Sequence, residues 1–217
     1  MKILVLGASG GVGKQFVPMA VAKGHNLTAI TRTAPDRPRL VLDGVRVIED
    51  DVLREGCFDE HVAGHDVVVS SLGFRRVSPA NPWSKLLSPT DFNSRTARAL
   101  VAAMKKHKVP RVIAVSAAGV AESAAKMNAV MKFFVSTSNV GVAYRDLALM
   151  EQIFAESGLE WCCPRPVRLT NGAVTGKVHT IDGFPMMAAI SRADVAAFLL
   201  GCVEGPINDH LPTITAN

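Results

Sequence analysis

Residues 3–16 read ILVLGASGGVGKQF, an apolar, β-branched run that stops at four glycines and resumes with helical period. This stretch constrains the fold more than any other, because a buried strand that turns through glycines into a helix leaves the first N–H groups of that helix free to receive an anion. Two kinds of nucleotide loop begin this way. A P-loop places glycine five residues before Gly-Lys and Ser or Thr just after it; here those positions hold Ala8 and Gln15. The spacing Gly7-x-x-Gly10-x-x-Gly13 fits the other kind, a strand, tight turn and helix that cradle a pyrophosphate. Gly7 serves the turn, Gly10 and Gly11 let backbone approach phosphate, and Gly13 lets strand and helix pack closely; Ser9 and Val12 belong to the same loop.

The rest of the chain continues the pattern. Short β-branched runs at 2–7, 26–32, 45–49, 66–72, 111–117, 159–165 and near 210–215 alternate with helix-period stretches at about 11–23, 52–62, 89–107, 121–135, 142–157 and 192–203. The fold class expected is α/β: one Rossmann-like domain over 1–217, a doubly wound and mainly parallel sheet flanked by helices. With 217 residues, 48% of them hydrophobic, the chain suffices for one such domain with a substantial core. Ser191 is placed to cap a helix by accepting from the amide of Asp194, and Pro89 after Ser88 predicts another helix start. Two irregular segments, about 73–92 and 119–142, follow strands at the carboxyl edge of the sheet, where open α/β sheets bind ligands.

Several classes of function are set aside. The net charge of +5 is moderate, and the basic clusters Arg75-Arg76 and Lys105–Lys108 are short and lack interleaved aromatics, so a solvated helix end is preferred to a nucleic-acid surface. No apolar run approaches the ~20 residues of a membrane span and no leader is legible, which predicts a cytoplasmic chain with a small-molecule partner. Cys57, Cys162, Cys163 and Cys202 have no zinc-site spacing, and His61 with His65 lacks the neighbouring carboxylate of a metalloprotease helix, so no metal is expected.

The tip of the second strand bears on the cofactor. An acid there would receive the ribose 2′-hydroxyl of NAD, whereas this chain has Thr31-Arg32-Thr33. A guanidinium between two hydroxyls suits a 2′-phosphate, which implies NADP, or NADPH when reduced.

The series GASGGVG, DDVLR (50–54), GHDVVVSSLG (64–73), NSRTARALVAAMKKHKVPRVIAVSAAG (93–119), ESGLEWCCPRPVRLTNG (156–172) and ISRADVAAFLL (190–200) resembles the atypical short-chain dehydrogenase/reductase proteins related to biliverdin reductase B (flavin reductase) and to NmrA-like proteins, over nearly the whole chain. That resemblance implies adenine contacts from Asp51 and Val52, ribose contacts from Ser71, Leu72 and Gly73, and a place beside the nicotinamide for Pro166 and Val167. It further implies an active-site role for Ser116, with its hydroxyl facing the space above the nicotinamide, and Tyr144, the only tyrosine, is a second candidate for the same pocket.

Departures narrow the chemistry. Tyr144 is followed four positions later by Ala148 instead of lysine, and without that cation a tyrosine with pKa near ~10 is a poor base at neutral pH. Arg168 stands near where biliverdin reductase B carries a histidine. The expectation is an NADPH-dependent reductase of a conjugated acceptor of flavin, quinone or tetrapyrrole type. Its alternatives are an NmrA-like NADP sensor without turnover and an epimerase-like enzyme that retains its nucleotide.

Overall fold

The computed structural model describes residues 1–32, 42–78, 81–183 and 187–217. In chain order the elements are β1 (Lys2–Leu6), α1 (Gly13–Ala22), β2 (Asn26–Thr31), β3 (Val45–Glu49), α2 (Cys57–His61), β4 (Val67–Ser70), α3 (Phe92–His107) and β5 (Arg111–Ala114). A 3-10 helix (Ala121–Lys126), α4 (Ala129–Thr137), α5 (Asn139–Ala155), β6 (Glu160–Cys162), β7 (Arg165–Pro166), β8 (Arg168–Thr170), β9 (His179–Thr180), β10 (Ala189–Ser191), α6 (Arg192–Glu204) and β11 (Thr213–Thr215) follow.

The first six strands form one parallel sheet in the order β3-β2-β1-β4-β5-β6, the doubly wound Rossmann-like arrangement that the alternation predicts. The order reverses between β1 and β4, and the glycine loop opens at that switch point. Alternation along each strand divides the core in two. Ile3, Val5, Val67, Val69 and Ile113 pack with α1 and α6 through Phe16, Val17, Val195 and Leu199. Leu4, Leu6, Val68, Val112 and Ala114 face the other side, against Leu100 and Met104 of α3 and Met150 and Phe154 of α5. Strands buried on both faces require near-continuous apolar runs, and VVVS in β4 is buried at every residue.

Local signals hold in some places and yield in others. Ser191 caps α6 as expected, accepting from the amide of Asp194 at 2.9 Å. At α3 the expected start at Pro89 is corrected: the helix opens at Phe92, and Ser88 Oγ accepts from the amide of Arg75. The carboxylate of Asp146, buried on α5, instead accepts from the amides of Asn93 and Ser94 at 2.7 and 3.1 Å. The helix expected over 52–62 shortens to Cys57–His61, because Gly56 turns the chain with φ +80°. The one expected over 121–135 divides into the 3-10 helix and α4. The strand expected near 210–215 forms as β11 but lies outside the main sheet, parallel to β7 and antiparallel to β9, and a second small sheet, β10-β8, completes the carboxyl-terminal part.

Candidate functional site

The glycine loop is shaped by contacts that exclude side chains. Gly7 has φ +84°, and a Cβ there would lie 2.9 Å from the carbonyl of Ser71; one on Gly13 would lie 2.2 Å from the carbonyl oxygen of Gly7. The Gly10 amide closes the turn onto Gly7 O at 2.9 Å. Among the described residues the amides of Gly11, Val12 and Gly13 have no backbone or side-chain acceptor, so the loop and the first turn of α1 present three unspent donors at the positive end of a helix. No acidic side chain occupies that first turn.

Beside it lies a cavity of about 280 Å³ at the carboxyl ends of β1 to β4. Gly7, Ser9, Gly10, Thr31, Arg32, Val52, Ser71, Leu72 and Gly73, all singled out from the sequence, line it. Gly11 is exposed at the loop, while Val12 and Gly13 are buried behind it; Thr33 lies outside the described residues. Asp51 is not among the lining residues, because its Oδ1 is turned onto the amide of Leu53 at 2.9 Å; Asp50 takes that place. Ile30, Arg75 and Phe92 complete the lining, unforeseen from sequence. Arg75 was legible only as part of a short basic cluster, and nothing local marked Asp50 or Phe92.

Asp50 is an acid in the cavity, but its oxygens are occupied. Arg54 donates to both, at 2.8 and 2.6 Å, the amide of Asp51 donates at 2.7 Å, and His61 Nε2 lies 3.0 Å away. The Arg54 hydrogen bonds hold the Asp50 carboxyl well below the usual carboxylate range. Cys57 joins Asp50 and His61 in a compact group, with its thiol pushed up to about 12 by burial. The Arg54 guanidinium on the Asp50 carboxylate ties this cluster to the start of α2.

These donors fit the diphosphate and adenosine portion of a dinucleotide: free amides at the loop, Arg32 exposed at the tip of β2 and, among the described lining residues, a single acid, Asp50, whose oxygens are engaged. Arg32 has no carboxylate partner among the described residues.

The opposite half of the carboxyl edge is built differently. Asn139, at the start of α5, donates to the carbonyls of Trp83 and Ser84 at 3.2 and 2.9 Å, and its amide donates to Pro82 O at 3.0 Å. The Trp83 and Phe134 rings meet edge to face at 5.5 Å, so the two irregular segments form one wall. Gly119, with φ +90°, brings the chain against Met127 and the ring of Tyr144. Burial raises the Tyr144 phenol, and Arg76 acts in the opposite direction.

Ser116, singled out from the sequence, is buried, and its hydroxyl donates to Glu151 Oε1 at 2.6 Å. The reason is strand alternation: Val112 and Ala114 face the α5 side, and Ser116, two residues on, continues that face toward Glu151. Glu151 also accepts from Arg165 Nε and Nη2 at 2.9 and 2.7 Å, and Arg165, fully buried, reaches Glu122 at the rim. Pro166 and Val167 are buried beside this network, held by the amide of Ala118 on Pro166 O at 3.0 Å, with Val167 in the core toward α1.

In curated sequence, the chain is similar to the uncharacterized protein YwnB of Bacillus subtilis (strain 168), 27% identical over 221 residues, covering 95% of this chain and 93% of that one. In structure it is similar to the anaerobilin reductase ChuY of Escherichia coli O157:H7, with a TM-score of 0.80 and 24% identity over 100% of this chain and 97% of that one. A candidate NADH-flavin reductase from Streptococcus pneumoniae TIGR4 superposes with a TM-score of 0.72 and 20% identity over the full length of both chains. At these identities the two solved structures establish the shared fold. Residues 7–206, nearly the whole chain from the first glycine of the loop, match the profile of the NAD(P)H-binding family, and the protein belongs to that family.

Proposed function

We propose that the chain is an NADPH-dependent reductase that passes hydride to a conjugated or aromatic acceptor of flavin, quinone or tetrapyrrole type. The observation that carries the cofactor choice is Arg32, exposed on the cavity at the tip of β2, while the acid in the cavity, Asp50, has its oxygens engaged by Arg54. A ribose 2′-phosphate would meet a cation there, and among the described lining residues a bare 2′-hydroxyl would find no free carboxylate.

The reduced nicotinamide supplies the hydride; the chain's residues orient it and exclude water. Three features support an acceptor that needs little proton transfer from the protein. Ser116 is committed to Glu151, Tyr144 has no lysine partner, and the facing wall is apolar. A delocalised acceptor can hold incoming charge and take its proton from water, whereas an isolated carbonyl needs a primed acid. The names carried by ChuY and the pneumococcal protein, an anaerobilin reductase and a candidate NADH-flavin reductase, accord with such acceptors.

Two measurements test this reading. Replacing Arg32 by Ala should weaken NADPH binding by about 1.5–3 kcal/mol, the contribution of a charged hydrogen bond, and leave NADH nearly unchanged; equal losses would refute the NADPH preference. Acceptor-dependent NADPH oxidation against flavins, quinones and linear tetrapyrroles tests turnover. The commitment of Ser116 favours one second reading, an NADP-binding sensor, and tight NADPH binding with no oxidation across that panel would establish it in place of the reductase.

A further inference from the structure

Arg192, the first residue of α6, reaches across to the glycine loop of α1. A Cβ on Gly11 would lie 2.6 Å from Arg192 Nε and 2.7 Å from its Cδ, so the guanidinium end rests directly on that glycine. Its Nη1 donates to Asn171 Oδ1 at 2.7 Å. A guanidinium has five N–H donors, and this neutral contact uses one.

The position is electrostatically unfavourable for a lone cation. Arg192 occupies the first turn of α6 and abuts the loop that opens α1, so two positive helix ends face it. Among the described residues it has no carboxylate partner. The acid in the first turn of α6, Asp194, is fully buried and engaged with Ser191 and Thr175. Among the described residues, three amides without an acceptor and a guanidinium without a carboxylate partner therefore belong to one loop at Gly11.

We propose that Arg192 is a cofactor-binding residue that clamps the diphosphate of the dinucleotide against the glycine loop. Gly11 is then glycine for a second reason, since any side chain there would displace the clamp. The proposal rests on the cofactor reading above and differs from it in what it predicts: the diphosphate is common to both nicotinamide dinucleotides, the 2′-phosphate is not.

Calorimetric titration of the ligand-free protein with NADPH and NADH, beside its melting temperature without nucleotide, decides the matter. Arg192→Ala should raise the Kd of both nucleotides by the same factor, roughly 10- to 100-fold as for a lost charge-assisted contact, and leave the nucleotide-free melting temperature unchanged. Arg192→Lys should recover part of the loss and steepen with added salt. Gly11→Ala should weaken binding in the wild type and add little in the Arg192→Ala background, because both remove one contact. An unchanged Kd, or a fall in melting temperature without a change in Kd, would overturn the proposal while leaving the Arg32 reading intact; wild-type protein that binds neither nucleotide would overturn both.

Discussion

Helices α1 and α4 are similar in length, ten and nine residues, and both are rich in apolar side chains, yet they are used in opposite ways. The first buries Gly13, Phe16, Val17 and Ala20 against the sheet and fixes the loop that precedes it. The second buries none of its residues: Val130 and Phe133 are 70% and 69% exposed, and Phe134, half-buried, packs edge to face with Trp83. Apolar content alone therefore does not place a helix in the core. The nucleotide end of the site is held by the same contacts that hold the fold, while the wall proposed to meet the acceptor carries exposed apolar side chains. Rigidity where every substrate shares a cofactor, and adjustable apolar surface where acceptors differ, are what a hydride-transfer site on one scaffold needs.

The largest test of this contrast lies beneath the apolar wall. Glu151→Gln leaves Arg165 buried with only Glu122 at the rim, and breaking a buried pair in this way should cost about 3–5 kcal/mol in urea unfolding. A loss under 1 kcal/mol, by the same scale, would mean that α5 is held by its apolar face alone. Ser116→Ala should cost less, about 1.5–3 kcal/mol for a bond to a charged group, and act on stability more than on turnover.

Next comes the nucleotide end. Gly13→Ala forces a methyl onto the Gly7 carbonyl and Ala8, which are backbone and cannot swing away, and overpacking of this kind costs roughly 1–3 kcal/mol. Titration of the same variant should show nucleotide affinity falling with stability; if it keeps wild-type affinity, the two are not coupled at this loop.

A smaller effect is expected in acid. Arg54 holds Asp50 below its ordinary range in the folded state, so the ion pair's contribution is fully present above the unfolded carboxylate pKa of ~3.9 and is lost as pH falls through the depressed folded value. Asp50→Asn should flatten the acid limb of a stability-versus-pH curve below about pH 4. An acid limb identical in both proteins would assign it to other carboxylates.

The smallest change in stability belongs to α4. Phe133→Ser should shift stability by less than about 0.5 kcal/mol, as exposed substitutions do, and raise the KM of an apolar acceptor with little change in the Kd of NADPH. Destabilisation comparable to Gly13→Ala would erase the contrast between the two helices.

The chain's local chemistry already determined a good deal. Apolar runs of strand length separated by helix-period segments imposed the parallel sheet, since strands buried on both faces have few other solutions. Gly7, Gly10 and Gly13 marked the turn because their spacing is set by backbone geometry within a few residues, and Ser191 capped α6 because its acceptor and Asp194 are neighbours in sequence. Other features became visible only when distant segments met. Asp146 caps α3 from 53 residues away, Arg192 lies on Gly11 from the far end of the chain, and Asp50 takes the cavity position expected for Asp51 because Arg54 and Leu53 turn the two carboxylates apart. Ser116 shows the limit most clearly. Its place after a strand was legible, but which way its hydroxyl turned depended on a carboxylate 35 residues later, and hydrogen bonding between remote side chains leaves no local period in the sequence to read.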